Sequence, residues 1–598
     1  MTSPLAPLVV AENHAPGITF QGNSQTTLRV VCEVKFPFSI TCLSKLSNLT
    51  NLVSKKEKPN MASSVYTTFN TKQTQQTSFI PGQEHKQAVN NAGGVSYKLD
   101  KWGAFNRFLI LGSEGGTYYT NEKKLTKDNA LNVIACIAED GERAVKEIIR
   151  ISDEGLAPKN DPAIFALALA ASAQDIKTRQ FAFDNLSKVC RIPTHLFHFL
   201  EYSKGMRGWG SGLKKAIQNW YLEKPIDQLA YQMVKFQQRD GWANSDALRK
   251  AHPKTAEAGR NLLFRWAVDG FEGMTKLAQE KYELASLSPE IITGFELAKT
   301  ADTKELVQLI SQYNLSREML PTESLTKPEI WEALLDKMPF TAMLRNLGNM
   351  SKVGLLKPLS QAEKLVISKL QDEVSLRKAR IHPISVLLAM KTYASGAGLK
   401  GSGTWNVCPK VVDTLDDTFY AAFKFAEPAG KNFLVGVDVS GSMSWYNAAG
   451  LPITPAEGAA AMALSIAKIE PNTYIHGFCH TFVDLGITPK MRLDAALQRT
   501  SSLNFGRTDC SLPAMHALKE NLNIDCIVII TDNETYAGKP HPSQALAQLR
   551  NKLGKPVKQV VIGMTATNFT IADPDDALSL DVAGFSADVP QLVTQFAS

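Results

Sequence analysis

No apolar run in this 598-residue chain approaches the roughly 18 to 20 residues needed to cross a bilayer, which excludes a membrane-spanning helix. The N-terminus also lacks a basic segment followed by an apolar core and a small-residue cleavage site, so a cytoplasmic location is expected. The eight cysteines, Cys32, Cys42, Cys136, Cys190, Cys408, Cys479, Cys510 and Cys526, include no C-x-x-C pair. They fit neither a zinc site nor a disulfide framework, and reduced core thiols are expected. There is no G-x-S-x-G elbow, which argues against a serine hydrolase. The glycine-rich "GSEGGTYY" lacks the Lys-Ser/Thr that follows a phosphate-binding loop, and it does not sit between a strand and a helix. Nucleotide hydrolysis is therefore not expected, and the chain reads as a binder rather than an enzyme.

The charge is modest but localised. The chain carries a net charge of +7, and the stretch from Gln174 to Arg260 holds 15 Lys/Arg against 8 Asp/Glu, which equals that entire surplus. Such a local excess suits a phosphate-binding surface, because each phosphate neutralised by Lys or Arg releases a counterion. A solvated helix face is the alternative on charge alone.

Three compositional regions follow one another. Residues 1–95, exemplified by "TTFNTKQTQQTSF", are rich in Ser, Thr, Asn and Gln without periodicity and read as a disordered tail. Met61 opens "MASSVYTTFN" after the polar "SKKEKPN" and is the expected start of translation, with residues 1–60 an expected artefact of gene calling. Residues 96–411 carry short punctuated helical patterns, such as "TKDNALNVIACIAEDG" with Leu131 and Ile134 and "GERAVKEIIRISDEG" with Val145, Ile148 and Ile149. Asp161-Pro162 reads as a cap and first position of a further helix. Helix pairs recur at roughly 35 to 45 residues, the period of HEAT-like solenoids. Residues 412–598 change to alternation: "NFLVGVDV", "TYIHGFC", "DCIVIITD" and "PVKQVVIGM" read as strands, interleaved with helical runs. That grammar predicts a doubly wound parallel sheet with ligands gathered at the carboxyl ends of its strands.

At one such end "DVSGSM" supplies Asp438, Ser440 and Ser442, more oxygens than one helix cap needs. Thr508 in "NFGRTDCSLP" and Asp532 in "IVIITDNET" add two more. Carboxylates and hydroxyls are hard ligands suited to Mg²⁺ or Mn²⁺. The five positions together resemble the metal-ion-dependent adhesion site of von Willebrand factor type A domains. A metal-dependent nuclease would gather more carboxylates, whereas hydroxyl ligands leave charge on the ion to capture a partner's acid.

Beyond that site, "LILGSEGGTYYTNEKKL", "VCRIPTHLFHFL", "ARIHPISVLLAM", "TDCSLP" and "FTIADPDD" resemble the Ro 60-kilodalton ribonucleoprotein family, in which a helical TROVE module is joined to a type A domain. The resemblance runs from about residue 97 to the C-terminus. It implies a ring of HEAT-like helices, small noncoding Y RNA on an outer basic surface, and single-stranded ends of misfolded RNA in a central hole, for RNA quality control. A monomer is expected, with a ribonuclease or another protein as the expected partner at the type A metal site. By that resemblance Lys177, Arg179 and His195 lie where the family meets RNA, and Lys214 and Lys215 match a basic pair ahead of a tryptophan. Arg249 and Lys250 extend the strip. For His195 a polar helix-start role is the alternative, and Trp209 and Trp242 read either as base-stacking platforms or as buried anchors. A protein-binding type A adaptor without an RNA role is the second functional reading.

Overall fold

The computed structural model describes residues 74–598 apart from 283–288, 399–402, 425 and 502–505. Residues 1–73 of the expected tail, and the expected start at Met61, lie outside the described residues. Residues 74–95 correct that expectation, because they are folded. Gln75–Thr77 form a 3₁₀ turn, and Gln87–Val89 (β1) pairs antiparallel with Val95–Lys98 (β2). Their polar side chains are used in bonds to distant loops: Gln76 donates to Asp509 at 2.9 Å, and Asn90 donates to the carbonyl of Thr535 at 2.9 Å. A reading based on hydrophobicity has no access to such bonds.

The helical region begins at Lys101–Leu111, capped by the Asp100 carboxylate, which accepts from the N–H groups of Trp102 and Gly103. Glu122–Glu139 and Gly141–Asp153 follow. The buried face of the former is Leu125, Ala130, Val133, Cys136 and Ile137, whereas Leu131 is exposed and Ile134 half-buried. The face is turned so that Asn129 can donate to the carbonyl of Ala566 at 3.2 Å. Gly141 is required by packing, since a Cβ there would lie 2.0 Å from Thr178 Oγ1. Helix Asp161–Ala171 starts one residue before the expected position, with Asn160 as its cap, and is buried from Ala163 to Ala171. An all-apolar helix of this kind belongs at the centre of a bundle.

Helix Ser211–Leu222 packs on both Ile176–Asp184 and Asn244–Ala251, while Pro193–Met206 packs on Asp161–Ala171 and on a two-stranded ribbon of Gln238–Arg239 (β3) and Trp242–Ala243 (β4). Further helices continue the series to Pro383–Ala394 and Pro409–Ala421. The boundary expected at 411/412 falls inside this last helix, which packs on Gln361–Gln371 and Pro383–Ala394 and so belongs to the helical region. The array then closes on itself: Arg380 meets Asp153 at 2.7 Å, and His382 Nε2 lies 3.2 Å from the carbonyl of Leu156.

Strand–helix alternation starts at Phe433–Asp438 (β5) and continues with Thr473–Phe478 (β6), Phe482–Asp484 (β7), Cys526–Thr531 (β8), Lys558–Gly563 (β9), Phe569–Thr570 (β10) and Ser579–Ala583 (β11). The main sheet has the order β11-β9-β8-β5-β6-β7, parallel except for the edge strand β7, which runs antiparallel to β6. Leu434, Ile527, Ile529 and Val561 pack against Ala514, Ala517, Leu546 and Leu549 of helices Leu512–Lys519 and Pro542–Leu553. Alternate residues of the same strands face the other side, where Pro455–Ile469 lies against β5, β6 and β8. The sheet is thus covered on both faces, as a parallel sheet requires.

The two regions are fastened together within one compact unit. β2 pairs with β10, and Lys391 meets Glu457 at 2.6 Å. Arg107, 1% exposed, binds both carboxylate oxygens of Asp581. A buried guanidinium is tolerated because the carboxylate accepts hydrogen bonds from its Nη2 and the carbonyls of Thr567 and Phe569 accept from its Nη1.

Candidate functional site

The oxygen cluster sits where the strand order reverses. β5 has β6 on one side and β8 on the other, and Asp438 ends β5 while Asp532 follows β8. Asp438 accepts from the N–H of Ser440 at 2.9 Å and from Thr531 Oγ1 at 2.6 Å. Ser440 Oγ lies 3.0 Å from Ser442 Oγ, and Ser442 lies beside Asp532. Thr508 comes from a separate loop, fixed to the Asp532 loop by its carbonyl, which accepts from Tyr536 at 3.1 Å and Ala537 at 3.0 Å. All five residues expected from the sequence converge on this strand-end region.

The electrostatics are those of buried acid without a counter-charge. Burial and the neighbouring Asp532 push the Asp438 carboxyl up to about 7, and burial raises Asp532 as well. Glu534, whose role no local sequence pattern marks, is buried and pushed up to about 8 by burial and Asp532. It accepts from Asn91 Nδ2 at 2.8 Å and from the N–H of Ala92 at 3.0 Å. Thr508 Oγ1 and the Tyr446 hydroxyl are buried with no partner among the described residues. The donor set of two carboxylates and three hydroxyls, one of them orphaned, fits a hard divalent cation. Among the described residues no cluster of three or more His, Cys, Asp or Glu is arranged to hold a metal, so a cation here depends on the hydroxyls.

The cluster is also roofed. Its five residues are at most 2% exposed. Tyr119, from the glycine-rich segment of the helical region, comes close to Ser442, and the half-buried Tyr446 has its buried hydroxyl toward both acids. Gly115 and Gly116, with φ of +84° and +68°, turn that segment onto the α/β domain. Lys159 holds it there, meeting Glu114 at 2.5 Å and the carbonyl of Gly450 at 3.2 Å. Nothing in the residues around Tyr119 or Tyr446 marks this roof locally.

The basic strip lies on neighbouring helices. Lys177, Lys214, Lys215, Arg249 and Lys250 are exposed on Ile176–Asp184, Ser211–Leu222 and Asn244–Ala251, each of the outer two packed on the middle one. Lys177, Lys214 and Lys215 make no ion pair among the described residues. Arg249 donates to the carbonyl of Val268 at 2.8 Å, and Lys250 stands 5.2 Å from the Trp209 ring. Arg179 is half-buried and donates to the carbonyls of Ala173 and Gln174. Part of the regional surplus is spent internally: Arg260 is buried against Glu257, and Lys224 donates to the carbonyl of Arg191.

His195 is half-buried, with Nδ1 3.5 Å from Asn160 Nδ2. Burial and nearby Arg191 lower it to about 4, so it is neutral at pH 7. Trp242 is buried and donates to Glu201 at 2.9 Å, in keeping with an anchor, while Trp209 is half-buried beside it with ring centroids 5.7 Å apart.

Residues 88–400 match the TROVE domain and residues 432–597 the Ro60 vWA domain. The chain is 40% identical to the RNA-binding protein RO60 of Deinococcus radiodurans over 518 residues, covering 86% of this chain and 96% of that protein. It is 34% identical to the RNA-binding protein RO60 of Caenorhabditis elegans, covering 86% of this chain and 91% of that one. The crystal structure of the Deinococcus radiodurans RO (RSR) protein superposes with a TM-score of 0.64 at 39% identity, covering 83% of this chain and 99% of that one. With a closed helical array, a type A sheet and these matches across most of its length, the chain belongs to the Ro60 family.

Proposed function

We propose that this protein is a noncatalytic RNA-binding scaffold of a small ribonucleoprotein, acting in RNA quality control in the cytoplasm as a monomer. The observation that carries this reading is the strip of exposed cations on adjoining helices, of which Lys177, Lys214 and Lys215 are unpaired among the described residues. RNA binding is what the printed names of the relatives supply. The strip holds phosphates of a structured small RNA of the Y type, with Arg179, Arg249 and Lys250 at its margins. His195, neutral at pH 7, acts through shape or base edges rather than charge. Single-stranded ends of misfolded RNA enter the central hole of the closed helical array, which a duplex is too wide to do.

In the α/β domain Asp438, Ser440, Ser442, Thr508 and Asp532 would hold Mg²⁺ or Mn²⁺. Such an ion supplies a compact positive charge that offsets the two buried acids. A partner's acid, from a ribonuclease or another protein, would have to displace Tyr119 and Tyr446 to reach it. That roof counts against the rival reading of a metal-dependent adaptor without RNA. Sequencing the RNA that copurifies with the protein tests the proposal: a small structured RNA supports it, and its absence together with a metal-dependent protein partner supports the rival.

A further inference from the structure

A cavity of about 240 Å³ opens beside the basic strip, between the end of helix Asp161–Ala171 and the starts of Ile176–Asp184 and Ser211–Leu222. Two of its lining residues, Arg179 and Arg207, are cationic and none is acidic. Arg207 is exposed and has no partner among the described residues.

The start of helix Ser211–Leu222 forms one wall. Its cap is Gly210, which offers no side-chain oxygen, so the N–H groups of Ser211, Gly212 and Leu213 are left without partners. Unsatisfied N–H groups at the positive end of a helix dipole favour an anion. A second observation points the same way. Ser203 lines the cavity, is 4% exposed, and its Oγ is buried with no partner among the described residues. A buried hydroxyl left unbonded costs stability unless a ligand or water satisfies it.

Part of the lining is apolar. Ile176 is 71% exposed, and Phe183 lies along the helix start, where a Cβ on Gly212 would come within 3.1 Å of its ring. Ile176 and the Phe183 ring beside these cations offer apolar surface that suits the flat face of a nucleobase.

We propose that this cavity is a nucleotide site: the phosphate of an unpaired RNA nucleotide sits on the start of helix Ser211–Leu222, bound by Arg207 and Ser203, with its base against Ile176 and Phe183. The site rests on the reading that this protein binds RNA and sharpens it. One unpaired nucleotide is gripped individually next to the cation strip that follows the backbone.

The test uses the full chain and calorimetric titration with adenosine 5′-monophosphate, adenosine and inorganic phosphate. Adenosine 5′-monophosphate should bind, phosphate should compete with it, and adenosine should fail to bind. Arg207→Ala should weaken the mononucleotide about tenfold or more, since a charged hydrogen bond is lost. Ser203→Ala should weaken it several-fold. Ser211→Pro keeps the helix, because proline is tolerated at the first helical position, but removes one N–H. It should weaken binding beyond the Ser211→Ala control, with the thermal midpoint lowered in none of the variants.

No binding of adenosine 5′-monophosphate, or equal binding by wild type, Arg207→Ala and Ser211→Pro, overturns the site. If a structured RNA still binds in that case, the RNA reading stands without it. If the mononucleotide binds and no RNA does, the RNA reading fails instead. A single-stranded oligoadenylate should bind more tightly than the mononucleotide and lose affinity when paired. Equal affinity would assign the cavity to free mononucleotides and overturn its RNA role.

Discussion

His382 Nε2 donates to the carbonyl of Leu156 at 3.2 Å, while its Nδ1 accepts from the N–H of Ile384 at 3.1 Å, so one neutral imidazole joins the two ends of the helical array. The donor and acceptor roles are incompatible with a second ring proton, and burial lowers this histidine to about 4. Its contribution is complete above the unfolded value of about 6.5 and is lost as pH falls toward 4. Acidification across that window should remove up to about 3 kcal/mol. His195, also lowered to about 4, acts in the same direction, whereas the raised carboxyls Asp438 and Glu534 oppose it. Comparing wild type with His382→Gln cancels these other groups. On going from pH 7 to pH 5 in denaturant unfolding, the variant should lose less stability, or gain more, than the wild type, and an equal change would remove His382 from the closure.

The folded segment before the first helix makes a truncation series informative. Removing residues 1–60 should leave folding and RNA binding unchanged. Removing residues 1–95 strips Gln76, Asn90 and Asn91 from Asp509, Thr535 and Glu534, leaving buried polar groups unpaired. Such losses cost about 1 to 3 kcal/mol each, so the shorter chain should melt markedly lower. Equal melting of the two truncations would contradict the structural role of this segment.

What was legible in the sequence was local. "FLVGVDVSGSM" carries an apolar strand, its end and the D-x-S-x-S spacing within a few residues, and Asp438, Ser440 and Ser442 lie in that arrangement. Helix Gly141–Asp153 buries Val145 and Ile148 as its periodicity requires. The features that escaped depend on contacts between distant positions. Arg380 and Asp153 are 227 residues apart, and nothing near either one marks the pair. Tyr119 comes near the oxygen cluster only through the packing of the two regions. The polar stretch from Gln76 to Asn91 looked incapable of folding because its stabilisation comes from hydrogen bonds rather than apolar area.

Asp438→Ala should abolish Mg²⁺ or Mn²⁺ binding, read by calorimetry with the metal alone, while changing RNA affinity little. The cation strip lies on helices outside the α/β domain. If metal and RNA binding fall together, the ion holds the fold rather than a partner.

His195→Ser should weaken a structured RNA without altering how binding depends on salt, because a neutral imidazole releases no counterion. A change in the salt slope comparable to that of a lysine variant would show that the ring is charged when bound.

The most direct test of the central claim is a titration of a small structured RNA against the wild type and the Lys214→Ala/Lys215→Ala variant across a salt series. The wild type should lose affinity steeply, with a log–log slope of about −0.7 to −0.9 per phosphate neutralised. The variant should flatten that slope by roughly one to two units. Salt-insensitive binding, or an unchanged slope in the variant, would contradict an RNA interface built on this strip.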